Sequence, residues 1–182
     1  MPYLIKPMET DAEKRGKAYV HWKSWQEAYA GIVDAGYLKR MSLEKCEKTA
    51  FQYPEGVFVA KEGERVVGFA AAGRYRRAEA ETDEGEVYAL YVLQEYQKRK
   101  IGYALMKRCL ETLRACRAVY VWVLRDNRKA IAFYEKIGFR ADGAEKELVL
   151  GTPVTVLRMA LTRAAFEEYA MAGHCSAGSP LV

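Results

Sequence analysis

The sequence is poor in the residues that make metal centres and disulfide frameworks. Only two histidines occur, His21 and His174, far apart in the chain, so neither a zinc nor an iron site is expected. The four cysteines, at positions 46, 109, 116 and 175, show no C-x-x-C spacing. In a chain able to build its own core they read as reduced thiols, and the expected location is the cytoplasm. No stretch approaches the roughly 20 apolar residues that cross a bilayer, and the segment from Met1 to Thr10 has no signal-peptide core, so no membrane partner is expected. Internal repeats and low-complexity tracts are also absent, which sets aside solenoid and collagen-like architectures.

What is present suits one globular domain: 182 residues, 51% hydrophobic and 29% charged. Thirteen tyrosines and three tryptophans make the core or a binding cleft rich in rings. The net charge of +5 comes from 29 basic and 24 acidic residues. So mild an excess suits a phosphate-bearing ligand as well as nucleic acid. Basic and aromatic residues are not interleaved in a binding motif, so no nucleic-acid partner is expected.

Periodicity divides the chain into elements. Leu4 and Ile5 begin a short strand that Pro7 ends. From Thr10 or Asp11 the pattern becomes helical, with Ala18, Trp22, Trp25, Ala28, Tyr29 and Ile32 at spacings of three and four, and Gly31 and Gly36 mark its end. A second helix is expected over 42–51 with Ser42 as its cap. Strands over 57–61 and 65–74 flank a turn at Glu62, Gly63 and Glu64. An acidic loop over 79–86 contains Glu79, Glu81, Asp83, Glu84 and Glu86, and a strand follows to Leu93. Further elements are a helix over 101–116, a strand over 118–124, a helix from Asn127 to Ile137 stopped by Gly138, and strands over 139–140, 146–150 and 154–160. A last helix over 161–172 presents Ala165, Phe166 and Tyr169 on one side. Strand, helix, strand, helix over 87–137 is an α/β unit with a parallel pair, and the hairpins on either side add antiparallel strands to the same sheet. The expected fold is a single α/β (α+β) domain with a central mixed sheet.

Two stretches carry chemistry. In the first, Gln97-Lys98-Arg99-Lys100-Ile101-Gly102 links a strand to a helix. Unpaired N–H groups and the helix dipole suit such a loop to phosphate, Gly102 permits close approach, and three basic side chains raise the local potential. Equally, a basic loop before a helix can be a solvated connection. In the second stretch, Asn127 suits the N-cap and Gly138 the left-handed terminator of a helix carrying Ala130, Phe133, Tyr134 and Ile137 on one face. Tyr134 reads from its position alone as a core tyrosine.

Together and in this order, the two stretches resemble the GNAT superfamily of N-acetyltransferases. The family's diphosphate loop, Gln/Arg-x-x-Gly-x-Gly/Ala, is matched at Gln97 and Gly102 and departs at Lys100, where glycine is usual. Asn127-x-x-Ala-x-x-Phe-Tyr-Glu-Lys-x-Gly-Phe139 is the sharper match. The resemblance implies a GNAT-like domain over 1–172 with a mostly antiparallel twisted sheet, a parallel pair at the cofactor cleft and flanking helices, followed by a flexible tail over 173–182. It implies direct acetyl transfer from acetyl-CoA, the co-substrate, to a primary amine in a ternary complex, with no metal. An alkylammonium of pKa about 10.4 must lose a proton before attack. The family's usual carboxylate corresponds to Glu86, with Glu84 as the alternative, and the tyrosine that protonates the CoA thiolate corresponds to Tyr134. Carried over likewise, the backbone of Leu90, Tyr91 and Val92 pairs with pantetheine. The N–H groups of Lys98, Arg99, Lys100, Ile101, Gly102 and Tyr103, led by Gln97, hold the diphosphate, and Asn127 contacts the pantetheine arm.

The acceptor is less legible. The acidic segment favours a small cationic amine such as a polyamine, and Trp22, Trp25 and Tyr29 form either a ring-lined wall or core. The alternatives are a protein or peptide N-acetyltransferase and an acyl-CoA-binding sensor without turnover. The resemblance also implies a homodimer paired through edge strands or the last helix.

Overall fold

The computed structural model describes residues 2–76 and 83–171. Glu79 and Glu81, Ala172, and the tail expected over 173–182 lie outside the described residues, as does the side chain of Tyr169.

Seven strands form one sheet in the order β1-β2-β3-β4-β5-β7-β6. They are β1 (Leu4–Pro7), β2 (Val57–Glu62), β3 (Arg65–Arg74), β4 (Glu84–Val92), β5 (Ala118–Leu124), β6 (Arg140–Leu150) and β7 (Thr152–Thr162). Every neighbouring pair is antiparallel except β4 with β5. The helices are α1 (Asp11–Ala28), α2 (Ala35–Arg40), α3 (Leu43–Gln52), α4 (Ile101–Thr112), α5 (Arg128–Ile137) and α6 (Arg163–Met171).

Alternation along the strands assigns the two faces. Val57 and Val59 pack with Val20 of α1, whereas Phe58 and Ala60 pack in the cluster that holds Ile101, Leu105 and Cys109 of α4. Because both faces are covered, Val57–Ala60 is a continuous apolar run instead of an alternating one. Ala165 and Phe166 of α6 also pack against the α4 cluster, so the helix face considered for pairing between copies is turned inward.

Several boundaries differ from expectation for physical reasons. β4 begins at Glu84, so Glu84 and Glu86 sit in a strand rather than in the acidic loop, fixed by pairing with both β3 and β5. β7 runs on to Thr162 and α4 stops at Thr112. The two pieces expected over 139–150 are one strand, interrupted by a bulge between Ala141 and Glu145. Gly36, expected to end a helix, lies inside α2, which Asp34 caps by accepting from Tyr37 N at 2.8 Å.

The start of α1 is held by charge. Thr10 and Glu13 form a reciprocal capping box. Glu13 is buried and receives hydrogen bonds from Lys6 Nζ (2.8 Å), Glu9 N (2.8 Å) and Thr10 N (3.1 Å). Burial pushes its carboxyl up, but the bonds from Lys6, Glu9 N and Thr10 N outweigh burial and hold it at about 2. A carboxylate depressed in the folded state stabilises above its unfolded pKa and loses that contribution as pH falls through the folded value. Glu13→Gln is therefore expected to cost about 2–3 kcal/mol at pH 7, the gap closing as pH drops from 4.5 towards 2. Urea denaturation at stepped pH reads this; a gap independent of pH would contradict it.

Candidate active site

The parallel pair β4–β5 is short. Glu84 pairs with Ala118, Gly85 with Val119 and Glu86 with Tyr120, and there the pairing stops. Among the described residues, β4 continues to Val92 with β3 as its one strand partner, and β5 continues to Leu124 with β7 as its one strand partner. A bulge that places Tyr88 between the pairs Val87–Ala72 and Ala89–Ala71 bends β4 away at this point. The result is a V-shaped cleft with an unpaired stretch of β4 backbone on one wall. α4 follows β4 and α5 follows β5, so two helix N-termini open at the carboxyl ends of the parallel strands, where α/β folds place ligands.

Leu90 and Val92 turn into the α4 cluster, while Ala89 and Tyr91 turn to the α1 side. The loop to α4 starts with Gln97, whose Nε2 donates to Val92 O at 3.3 Å. Lys98 and Lys100 both have φ of 62°, the left-handed region. Left-handed residues alternating with right-handed ones turn successive N–H groups to one side, an anion-binding nest. Lys100 is the N-cap of α4 and makes no side-chain cap bond, so the N–H groups of Ile101, Gly102 and Tyr103 keep the open first turn. The departure at Lys100 thus leaves the glycine-type backbone intact. Of the three basic residues, Arg99 is tied to Glu62 (2.5 Å) and lies over the Tyr96 ring. Ile101 is core. Gly102 has a packing reason as well: a Cβ there would lie 3.3 Å from the Phe133 ring, which stacks on Tyr103 at 5.0 Å. A left-handed lysine costs about 1–2 kcal/mol, which glycine relieves in part against its own entropy. Lys100→Gly should raise stability by about 0.5–1 kcal/mol and Tm by a few degrees; a lower Tm in calorimetry would contradict the strain.

Across the cleft, Asn127 Oδ1 caps α5 by accepting from Ala130 N at 3.1 Å, leaving its Nδ2 as the remaining donor. Two turns after Asn127 stands Tyr134, buried, with its ring edge-on to Phe133 (5.4 Å) and Phe139 (5.7 Å). Burial pushes its phenol up, and Tyr29 and Cys109 add to the shift, so it stays protonated at neutral pH. The packing is that of the core tyrosine its position alone suggested.

The carboxylates divide clearly. Glu84 is bound to Arg117 (2.8 Å) and to Tyr120 Oη (3.1 Å), and Asp83 also pairs with Arg117. Glu86, at the apex of the V, accepts among the described residues one hydrogen bond, from the backbone N–H of Arg76 at 3.2 Å. Burial pushes its carboxyl above the ordinary value, against the Arg76 hydrogen bond and the positive charges of Arg76 and Lys146. Among the described residues no group of three or more His, Cys, Asp and Glu side chains converges as a metal-ligand set. His21 is wedged against Phe69 and Tyr91, and burial, with Lys17 beside it, lowers its pKa to about 4.

Sequence reasoning missed one network. Trp25 Nε1 donates to Tyr91 Oη (3.0 Å), which lies 3.2 Å from Tyr29 Oη. Trp25 and Tyr29 pack towards Trp122 and the β6–β7 turn, while Trp22 packs with Cys46 of α3, so the ring stripe serves two places. Gly151 closes that turn with φ of 84°; a Cβ there would overlap Asp34 Oδ1 at 2.4 Å, so the hairpin docks on the start of α2. The signal was present only as ring type, because these contacts span more than 60 residues of sequence.

An open β4 edge and an α4 first turn without a side-chain cap thus meet at the carboxyl ends of the parallel strands, with Glu86 where the strands part. Residues 19–139 match the Acetyltransferase (GNAT) family. The chain is 34% identical over 160 residues to the uncharacterized N-acetyltransferase YuaI of Bacillus subtilis, covering 80% of this chain and 91% of that one. It is 26% identical over 125 residues to the ribosomal protein bS18-alanine N-acetyltransferase of Escherichia coli, covering 59% and 84%. The fold superposes with a TM-score of 0.68 on the PaiA N-acetyltransferase of Thermoplasma acidophilum, solved with coenzyme A, at 20% identity over 89% of this chain and 99% of that one. The protein belongs to the GNAT family and is an N-acetyltransferase with that family's seven-stranded mixed sheet.

Proposed function

We propose that the V-shaped cleft binds acetyl-CoA and passes its acetyl group directly to a small primary amine. The observation that carries this reading is the end of β4–β5 pairing at Glu86, which leaves β4 backbone free beside two helix N-termini. The backbone of Leu90, Tyr91 and Val92 pairs with the pantetheine amides as an added strand would. The N–H groups from Lys98 to Tyr103 take the diphosphate, with Lys98 and Lys100 adding charge, and Asn127 Nδ2 donates to the pantetheine arm. Acetyl-CoA supplies a thioester, whose carbonyl carbon accepts the amine.

Glu86 accepts a proton from the incoming ammonium, and burial, by raising its pKa, makes it a better base at neutral pH than an exposed glutamate. The C–N bond forms, the C–S bond breaks, and Tyr134 hydrogen-bonds the sulfur and delivers its proton to the thiolate. The nitrogen gives up its remaining extra proton, which restores the Tyr134 phenol, and the proton held by Glu86 passes to solvent, so one proton is released per turnover. Support for Glu86 over Glu84 comes from the Arg117 and Tyr120 contacts that engage Glu84. The acidic segment that favoured a polyamine gives it little support, since Asp83 and Glu84 are paired with Arg117.

Release of CoA thiol from acetyl-CoA, measured over small amines, polyamines and an alanyl peptide, tests the proposal. Tyr134→Phe should lower kcat by about 10²-fold with folding retained, and Glu86→Gln should lower kcat/KM by about 10²–10³-fold. The wild-type kcat/KM should rise with pH through an apparent pKa above 4.5, and Glu86→Gln should lose that limb. Binding of acetyl-CoA without turnover on any amine would favour a sensor instead.

A further inference from the structure

On the α1 side of the sheet, the floor beside Glu86 consists of Tyr120 and Trp122 from β5, flanked by Arg158 of β7 and Lys146 of β6. The two cations differ in kind. Arg158 is mostly buried, 4.5 Å from the Tyr120 ring, and donates to Asp142 (2.7 Å) and to Tyr75 Oη (3.1 Å). Its charge is answered within the protein. Lys146 is exposed, with Nζ 4.0 Å from the centre of the Trp122 ring, and has no carboxylate within ion-pair distance among the described residues. A ring engages one side of an ammonium and leaves the outward N–H groups free to donate.

The charges facing Glu86 from the packed elements complete the picture. Arg76, beyond β3, stacks 3.7 Å over Tyr88, and the positive charge of Lys146 on β6 is felt at Glu86. The nearby carboxylates Glu84 and Asp142 are bound to Arg117 and Arg158. Among the described residues, an amine arriving at Glu86 therefore meets, at Trp122, a Lys146 charge that no carboxylate pairs. A second cation on the acceptor is repelled there, and an anion is welcomed.

Resting on the cleft as the acetyl-transfer centre, we infer that the acceptor is an amine carrying its own carboxylate, an amino acid, and that Lys146, steadied on Trp122, is the specificity residue that takes the carboxylate. The amine lies at Glu86 and the carboxylate at Lys146 Nζ, with the carbon frame over the Trp122 ring.

The test compares kcat/KM for amino acids and their own carboxamides, which differ in the anionic charge, with spermidine and phosphoethanolamine as further arms. The acid-to-amide ratio is taken within each protein, so it does not depend on the fraction folded. Lys146→Ala should lower the ratio by roughly tenfold or more, the worth of a charge-assisted hydrogen bond, and Lys146→Glu should lower it further and improve spermidine. A ratio unmoved by Lys146→Glu overturns the proposal, as does a wild-type preference for spermidine or for phosphoethanolamine over every amino acid. Those results leave acetyl transfer standing. Absence of turnover on every acceptor removes the transfer reading and this proposal together.

Discussion

The structure depends on a failure of pairing. Parallel strands β4 and β5 stay together for three residue pairs and separate at Glu86, because the bulge at Tyr88 lets β4 keep its bonds to β3 while turning away from β5. A regular sheet would satisfy the β4 backbone internally and leave no cleft. Separation exposes polar backbone that an amide-bearing ligand can satisfy. The same separation spaces the helices that follow the two strands, so that the first turns of α4 and α5 both open at the carboxyl ends of β4 and β5.

The two faces of β4 then divide the labour. On the α4 side, Leu90 and Val92 join the main core, and Gly102 lets α4 approach Phe133 of α5. This packing holds the loop before α4 with Lys98 and Lys100 in a left-handed conformation that two lysines would not choose alone. On the α1 side, Tyr91 anchors Trp25 and Tyr29, and Gly151 seats the β6–β7 turn on Asp34. The α4 side of β4 is thus closed by aliphatic packing, and the α1 side by particular rings joined through hydrogen bonds.

That division explains what could be read from the sequence. Local rules sufficed for the hairpin at Gly63, the Ser42 and Asn127 caps and the Gly138 stop, each decided within a few residues. The resemblance then gave an expected role to residues of both stretches, from Glu86 to Tyr134. The extent of β4 was not legible, since Glu84 and Glu86 look like loop residues until pairing on both sides holds them. The bulge in β6 was also hidden, because the Asp142–Arg158 pair that marks it joins separate strands. Nor could periodicity show that Trp22 and Trp25, three residues apart on one helix, serve α3 and the cleft respectively.

The most direct measurement is amide hydrogen exchange, residue by residue, with and without acetyl-CoA. The account predicts slower exchange at the cleft-facing amides of Leu90–Val92 and at Lys98–Tyr103, with little change in β1, β2 or β6. Protection confined to other segments, or saturable binding with no protection at these amides, would contradict the cleft as the acetyl-CoA site.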